Sequence, residues 1–176
     1  MTKTEKLAID NDLEILKTHF NPEYIKIFIT PVKPGCIFCL KFKTVNVPTY
    51  VLTENNNTTP QYDTSIEFEM DILPNYPKTK PRVYYGNKKW LFHINVFASD
   101  QHAQCTDTYD PENSSLVELA EKTLRAIVFD KNRRFNSMAS SIPEKWQRNM
   151  EGKGKLPTMN PALLFMRNIK RTARPI

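Results

Sequence analysis

Cys105 stands ten residues after Asn95 and twelve after His93, in the stretch HINVFASDQHAQC. A thiol, a neutral amide and an imidazole so close in sequence point to three chemistries. The first is nucleophilic: a thiol with an ordinary pKa near 8.5 is about three per cent thiolate at pH 7. Cysteine is reactive enough for that fraction to suffice without a strong base beside it. The second is a zinc set assembled from Cys36-x-x-Cys39, His93, His102 and Cys105. Against it, Cys36 and Cys39 fall along an alternating stretch, where their side chains are expected on opposite faces, so no metal is expected. The third is a papain-type hydrolase, which wants a base histidine held by a third group and a glycine-flanked cysteine. Cys105 lies between Gln104 and Thr106. Outside any such context, a lone cysteine is a small buried hydrophobe and an asparagine is a turn residue.

Positioning these groups requires a folded body, and the composition supplies one. With 40% hydrophobic and 11% aromatic residues in a chain of 176, a single core is expected without disulfide or metal staples. No apolar run follows a basic start, and Ala162 to Met166 is too short to span a bilayer. Three cysteines without an export signal predict reduced thiols in a cytoplasmic protein. The net charge of +6 is unevenly placed. Residues 144–176 carry 8 Lys/Arg against 2 Asp/Glu, whereas residues 1–143 carry 17 of each. The body therefore shows no basic stripe interleaved with aromatics, and nucleic acid is not the expected partner.

Along the chain, Ile9, Leu13, Leu16 and Phe20 mark one face of an N-terminal helix stopped by Asn21-Pro22. YIKIFITP predicts a strand. Phe38, Leu40 and Phe42 alternate with Cys39, Lys41 and Lys43, predicting a second strand with one wet face. TENNNTTPQ reads as a polar hairpin loop. Ile66, Phe68, Met70 and Ile72 then alternate in a third strand. Pro74, Pro77 and Pro81 exclude a helix and impose a rigid extended crossing, after which RVYY is a short fourth strand. Residues 86–113 show no clear period, and an irregular segment that long is functional or conceals an element. Ser115 and Glu118 form a capping box opening LVELAEKTLRAIVFD, with Leu116, Ala120, Leu124, Ile127 and Val128 on its buried face. SIPEKWQRNM predicts a short helix with Pro143 in its first turn, and ALLFMRNIKR a final one. The order predicts an α+β fold: a four-stranded antiparallel meander with an N-terminal helix and C-terminal helices.

This order, with four local matches, resembles the ubiquitin-conjugating enzyme family. Leu73 to Pro81 (LPNYPKTKP) is similar to the family's proline and Tyr-Pro signature after the third strand. His93-Ile94-Asn95 resembles its His-Pro-Asn motif, and Cys105-Thr106-Asp107 its active-site Cys-Leu-Asp. The capped helix from Ser115 to Asp130 falls where the family's central helix follows the active site. The chain departs from the pattern at Ile94, in a longer gap from Asn95 to Cys105, and in Tyr109-Asp110-Pro111 where a tryptophan is usual. In overall character it is similar to divergent bacterial members encoded beside their own ubiquitin-like and activating proteins.

The resemblance implies a catalytic domain over residues 1–150 and a basic helical extension over 151–176. It implies that Cys105 accepts a modifier's C-terminus as a thioester and passes it to an amine. Asn95 would donate to the oxyanion formed in that transfer, or hold the loop in shape. Asp107 would draw in the acceptor ammonium. His93, Tyr76, Pro77 and Pro81 would be structural members of the motifs, and Asn136-Ser137 falls where the family has a gate beside the cysteine. The partners implied are a ubiquitin-like modifier, its activating enzyme, an acceptor protein and, in some pathways, a ligase, with no membrane involved. No cofactor is implied. ATP belongs to the activating partner, since the four glycines form no phosphate-cradling loop. The alternative is a binding or adaptor module of the same fold without transfer activity.

Overall fold

The computed structural model describes residues 1–93, 95–97, 101–105, 110–111, 114–130, 141–157 and 159–166. Helix α1 (Lys3–His19) opens on a capping box between Thr2 and Glu5 and ends where Asn21-Pro22 forbids another turn. Four strands then form one antiparallel sheet: β1 (Ile25–Ile29), β2 (Phe38–Thr44), β5 (Glu67–Ile72) and β6 (Arg82–Tyr84), in the order β1-β2-β5-β6. This is the expected meander. Between β2 and β5 the chain makes an additional hairpin, β3 (Thr49–Thr53) and β4 (Asn56–Asp63). Together with β7 (Lys89–Leu91) it builds a second sheet in the order β4-β3-β7. The stretch expected as a polar loop is therefore mostly strand. β4 is polar because it is an outer strand with little burial, and its pairing is made by main-chain groups that carry no hydrophobic signature.

Period-2 alternation sets the layers. Leu40 and Phe42 of β2 face Met70 and Phe68 of β5, and all four are fully buried. The Phe42 and Phe68 rings stack at 4.7 Å with 2° between their planes. Lys41, Lys43, Glu67 and Glu69 occupy the opposite, wetter face and pair across the strands. The apolar face joins Ile9 and Leu16 of α1 and Leu116, Ala120, Leu124 and Ile127 of α2 (Leu116–Ile127) in one buried cluster.

α2 is capped by Ser115, whose hydroxyl accepts the Glu118 N–H at 3.2 Å. It stops three residues before the expected Asp130. Phe129 adopts a left-handed φ of 54°, its N–H donates to Ala126 O, and the Asp130 N–H donates to Arg125 O. This is a Schellman ending with phenylalanine where glycine is usual. α3 (Ser141–Gly152) follows. The final helix expected from Ala162 does not form there. Pro161–Leu164 is one 3₁₀ turn, and Phe165 is extended and bridged to Phe20. Asn21 N–H donates to Leu164 O and Met166 N–H to His19 O, so Leu164 is fully buried. This segment packs back on the body. Residues 167–176 lie outside the described residues. Among the described residues, no helix is long and apolar enough to cross a membrane.

One buried polar cluster ties the layers. The Tyr76 hydroxyl donates to Asp12 Oδ2, which also accepts the Leu116 N–H at 3.2 Å, and Asp12 and Tyr76 are each 1% exposed. A carboxylate at the first turn of α2 meets the exposed N–H groups and positive end of that helix. Asn75, with φ of 67°, donates its N–H to Glu5 Oε1 at 2.6 Å, and the Tyr76-Pro77 bond is cis. The proline crossing is thus fastened to α1 and α2 together. Tyr76→Phe removes a donor to a buried carboxylate and should cost about 1.5–3 kcal/mol in urea denaturation. A loss below about 0.5 kcal/mol would show that the cluster does not anchor the crossing.

Candidate active site

Cys105 lies in a short strap laid along the edge of β6. Gln101 and His102 both take left-handed φ values, 58° and 54°, and reverse the chain. Beyond them the strap pairs with β6: Gly86 N–H donates to Gln101 O at 3.0 Å and Gln104 N–H to Val83 O at 2.8 Å, with Tyr84 opposite Ala103. On its other side Phe97 N–H donates to Ala103 O at 2.9 Å, and Cys105 N–H to Asn95 O at 2.7 Å. His102 stacks on Trp90, ring centres 3.7 Å apart and planes 5° apart, which braces the reversal. The antiparallel register that sets Ala103 opposite Tyr84 sets Cys105 opposite Arg82. The thiol is half-buried. It lines an open groove of about 360 Å³ with Asp71, Lys80, Pro81, Arg82, Phe97 and Gln101 among its other walls.

His93 and Asn95 support this strap from beneath. His93 is 6% exposed, and its Nδ1 accepts the Asn95 N–H at 3.2 Å. Its ring packs on Phe129 at 5.3 Å, so the left-handed end of α2 braces the histidine. Burial pushes the imidazole pKa down to about 3. A neutral ring with Nδ1 already engaged is a strut of the loop. Asn95 is 1% exposed and is not a wall of the groove. Its main chain joins His93 to Cys105, so the structure brings the three residues together through the backbone. Pro81 is buried in the groove wall, whereas Tyr76 and Pro77 lie in the crossing that leads to it. Asp107, Ile94, Thr106 and Asn136-Ser137 lie outside the described residues.

The expected geometry of Cys36 and Cys39 is corrected. Cys36 does not belong to the strand: Lys33-Pro34-Gly35-Cys36 is a turn closed by Cys36 N–H to Lys33 O at 3.0 Å, with Gly35 at φ 79°. β2 begins only at Phe38. Cys36 is therefore not bound by strand alternation, and its sulfur lies within 4.8 Å of both the Cys39 sulfur and an Asp71 carboxylate oxygen.

Three supports escape sequence reasoning: Phe129 behind His93, the Trp90–His102 stack, and Gln104, whose Oε1 accepts the Tyr85 hydroxyl at 2.6 Å. Each depends on a fold contact that local periodicity does not encode. No protein-family model matches the chain, and no protein of curated function matches it in sequence. Fold and site together define an α+β protein with a half-exposed thiol at a groove beside a buried His-x-Asn loop.

A buried neutral histidine makes stability depend on pH. Its folded pKa lies below the ordinary 6.5, so the unfolded chain binds the proton first and stability falls as pH drops from about 6.5 towards 3. The steepest contribution is about 1.4 kcal/mol per pH unit. Urea midpoints at pH 7.5 and pH 5 should fall less in His93→Phe than in the parent. Equal falls in the two proteins would mean that the His93 pKa is the same in the folded and unfolded chain.

Proposed function

We propose that Cys105 is an acyl carrier: it takes the C-terminus of a ubiquitin-like modifier as a thioester and yields it to an acceptor amine. The supporting observation is the placement of the thiol, half-exposed on the wall of an open groove and held by main-chain bonds on both sides of its strap. The Cys105 thiolate attacks the activated carbonyl carbon, displaces the activating enzyme's leaving group and forms the C–S bond. An incoming amine then attacks that carbon and loses a proton, and the thiolate leaves as the tetrahedral species collapses. Sulfur suits both steps, since it attacks well and departs well. Lys80 and Arg82 on the groove wall are donors suited to the carbonyl groups of an extended tail. Asn95 has two possible parts in this reading, oxyanion donor or keystone of the loop, and its burial favours the second. Asp107 retains its proposed role of attracting the acceptor ammonium, and a ligase remains an optional partner.

With the cognate modifier, its activating enzyme and ATP, the parent protein should form an adduct that thiol reductants cleave, and Cys105→Ala should form none. An adduct that survives in Cys105→Ala, with Cys36 and Cys39 intact, would move the carrier function to another thiol. No adduct with the parent would favour a binding module. Asn95→Ala should slow loading and discharge together, with a measurable loss of stability. Discharge slowed alone, by about 10²–10³-fold, would instead make the amide an oxyanion donor.

A further inference from the structure

On the same sheet face as the groove, three donor groups converge that the proposed transfer does not use. Cys39 and Asp71 are register partners on β2 and β5, so their side chains share one face of the sheet. The Pro34-Gly35 turn folds back over that face and brings Cys36 beside them. The Cys36 and Cys39 sulfurs and an Asp71 oxygen lie within 4.8 Å of one another, Cys39 at 1% exposure and Asp71 at 8%.

We propose that Cys36, Cys39 and Asp71 bind a thiophilic divalent cation of the zinc class, with a solvent molecule completing a tetrahedral shell. Tetrahedral zinc holds thiolates at about 2.3 Å, which sets two sulfurs about 3.8 Å apart. With a carboxylate oxygen at about 2.0 Å the sulfur–oxygen separation is about 3.5 Å, so the observed cluster needs to close by about 1.3 Å at most, and the half-buried Cys36 on its turn can supply that movement. The donor set is chemically selective: two soft thiolates disfavour magnesium and calcium, while one carboxylate is common to many zinc sites. Asp71 is also oriented, because the Tyr84 hydroxyl lies 3.0 Å from both its oxygens, as the second shell of a metal ligand requires.

The surrounding charge is mixed. Asp71 and Glu69 of β5 lie beside Lys33, which contacts Glu69 and Tyr84 and is 3.4 Å from Asp71 Oδ1, and Asp71 shares the groove wall with Lys80 and with Arg82, its register partner on β6. Lys41 is 3.7 Å from the far oxygen of Glu69. Lys33 is 38% exposed in its side chain and can keep Glu69 while releasing Asp71. Thiols ligate such cations as thiolates, so binding would release their protons. The site would fasten the turn to a cross-strand row that runs from Cys39 through Asp71 and Arg82 to the position of Cys105.

The test uses the full chain, prepared metal-free and reduced, titrated with Co²⁺. The expected result is one equivalent bound, with tetrahedral d–d bands and a thiolate-to-cobalt charge-transfer band that Zn²⁺ bleaches. Loss of a direct ligand should exceed the 10–100-fold typical of outer partners, so Cys36→Ser should weaken Co²⁺ binding by more than about 100-fold. Asp71→Asn supplies an independent variant that leaves both thiols in place and should also weaken it, while Cys105→Ser should bind as the parent does. Absence of the charge-transfer band in the folded parent, its survival in Cys36→Ser, or its loss in Cys105→Ser would each overturn the assignment.

Discussion

The carboxylate of Asp12 is the constraint on which the rest of the structure depends. A buried carboxylate is costly unless its oxygens are satisfied, and here the satisfying groups come from two distant segments, the Tyr76 hydroxyl and the Leu116 N–H. α1, the proline crossing and the start of α2 therefore cannot separate without exposing or orphaning that charge. The crossing delivers the chain into β6, and β6 offers the edge along which the cysteine strap is laid. The position of Cys105 thus traces back, element by element, to a residue 93 positions earlier in the chain.

What was legible in the sequence was whatever repeats with the period of an element. Ile66, Phe68, Met70 and Ile72 alternate because one face of β5 is sealed, and all four are fully buried. Leu116, Ala120, Leu124 and Ile127 recur at helical spacing for the same reason, and are fully buried too. The crossing of prolines was legible through steric exclusion alone. The second sheet was not, since β4 is an outer strand whose side chains mostly face water and β7 is three residues long. Cys36 was misplaced because its turn, closed between Lys33 and Cys36, overrides the alternation that begins at Phe38.

The candidate site was legible as a set of residues and illegible as a geometry. His93, Asn95 and Cys105 are indeed neighbours, but the links between them are a ring nitrogen, an amide N–H, a carbonyl and another N–H. Of the side chains, only the imidazole takes part in these links; Asn95 and Cys105 enter them through their main-chain groups. The residues behind them, Phe129 and Trp90, come from separate parts of the chain, the end of α2 and β7. Phe129 is unusual for its conformation, since a bulky side chain at positive φ is disfavoured. Its ring is packed against His93, Tyr50 and Trp146, and those contacts offset the backbone cost.

The strap carries a further implication for how such a surface could diversify. Its bonds to β6 and to the 95–97 segment use amide hydrogens and carbonyl oxygens that every residue except proline possesses. Exchange of the exposed Gln101 or of Phe97, which is 40% exposed, would redraw the walls of the groove without displacing the sulfur. Choice of ligand and placement of the thiol are thus separable properties, written in different atoms of the same few residues.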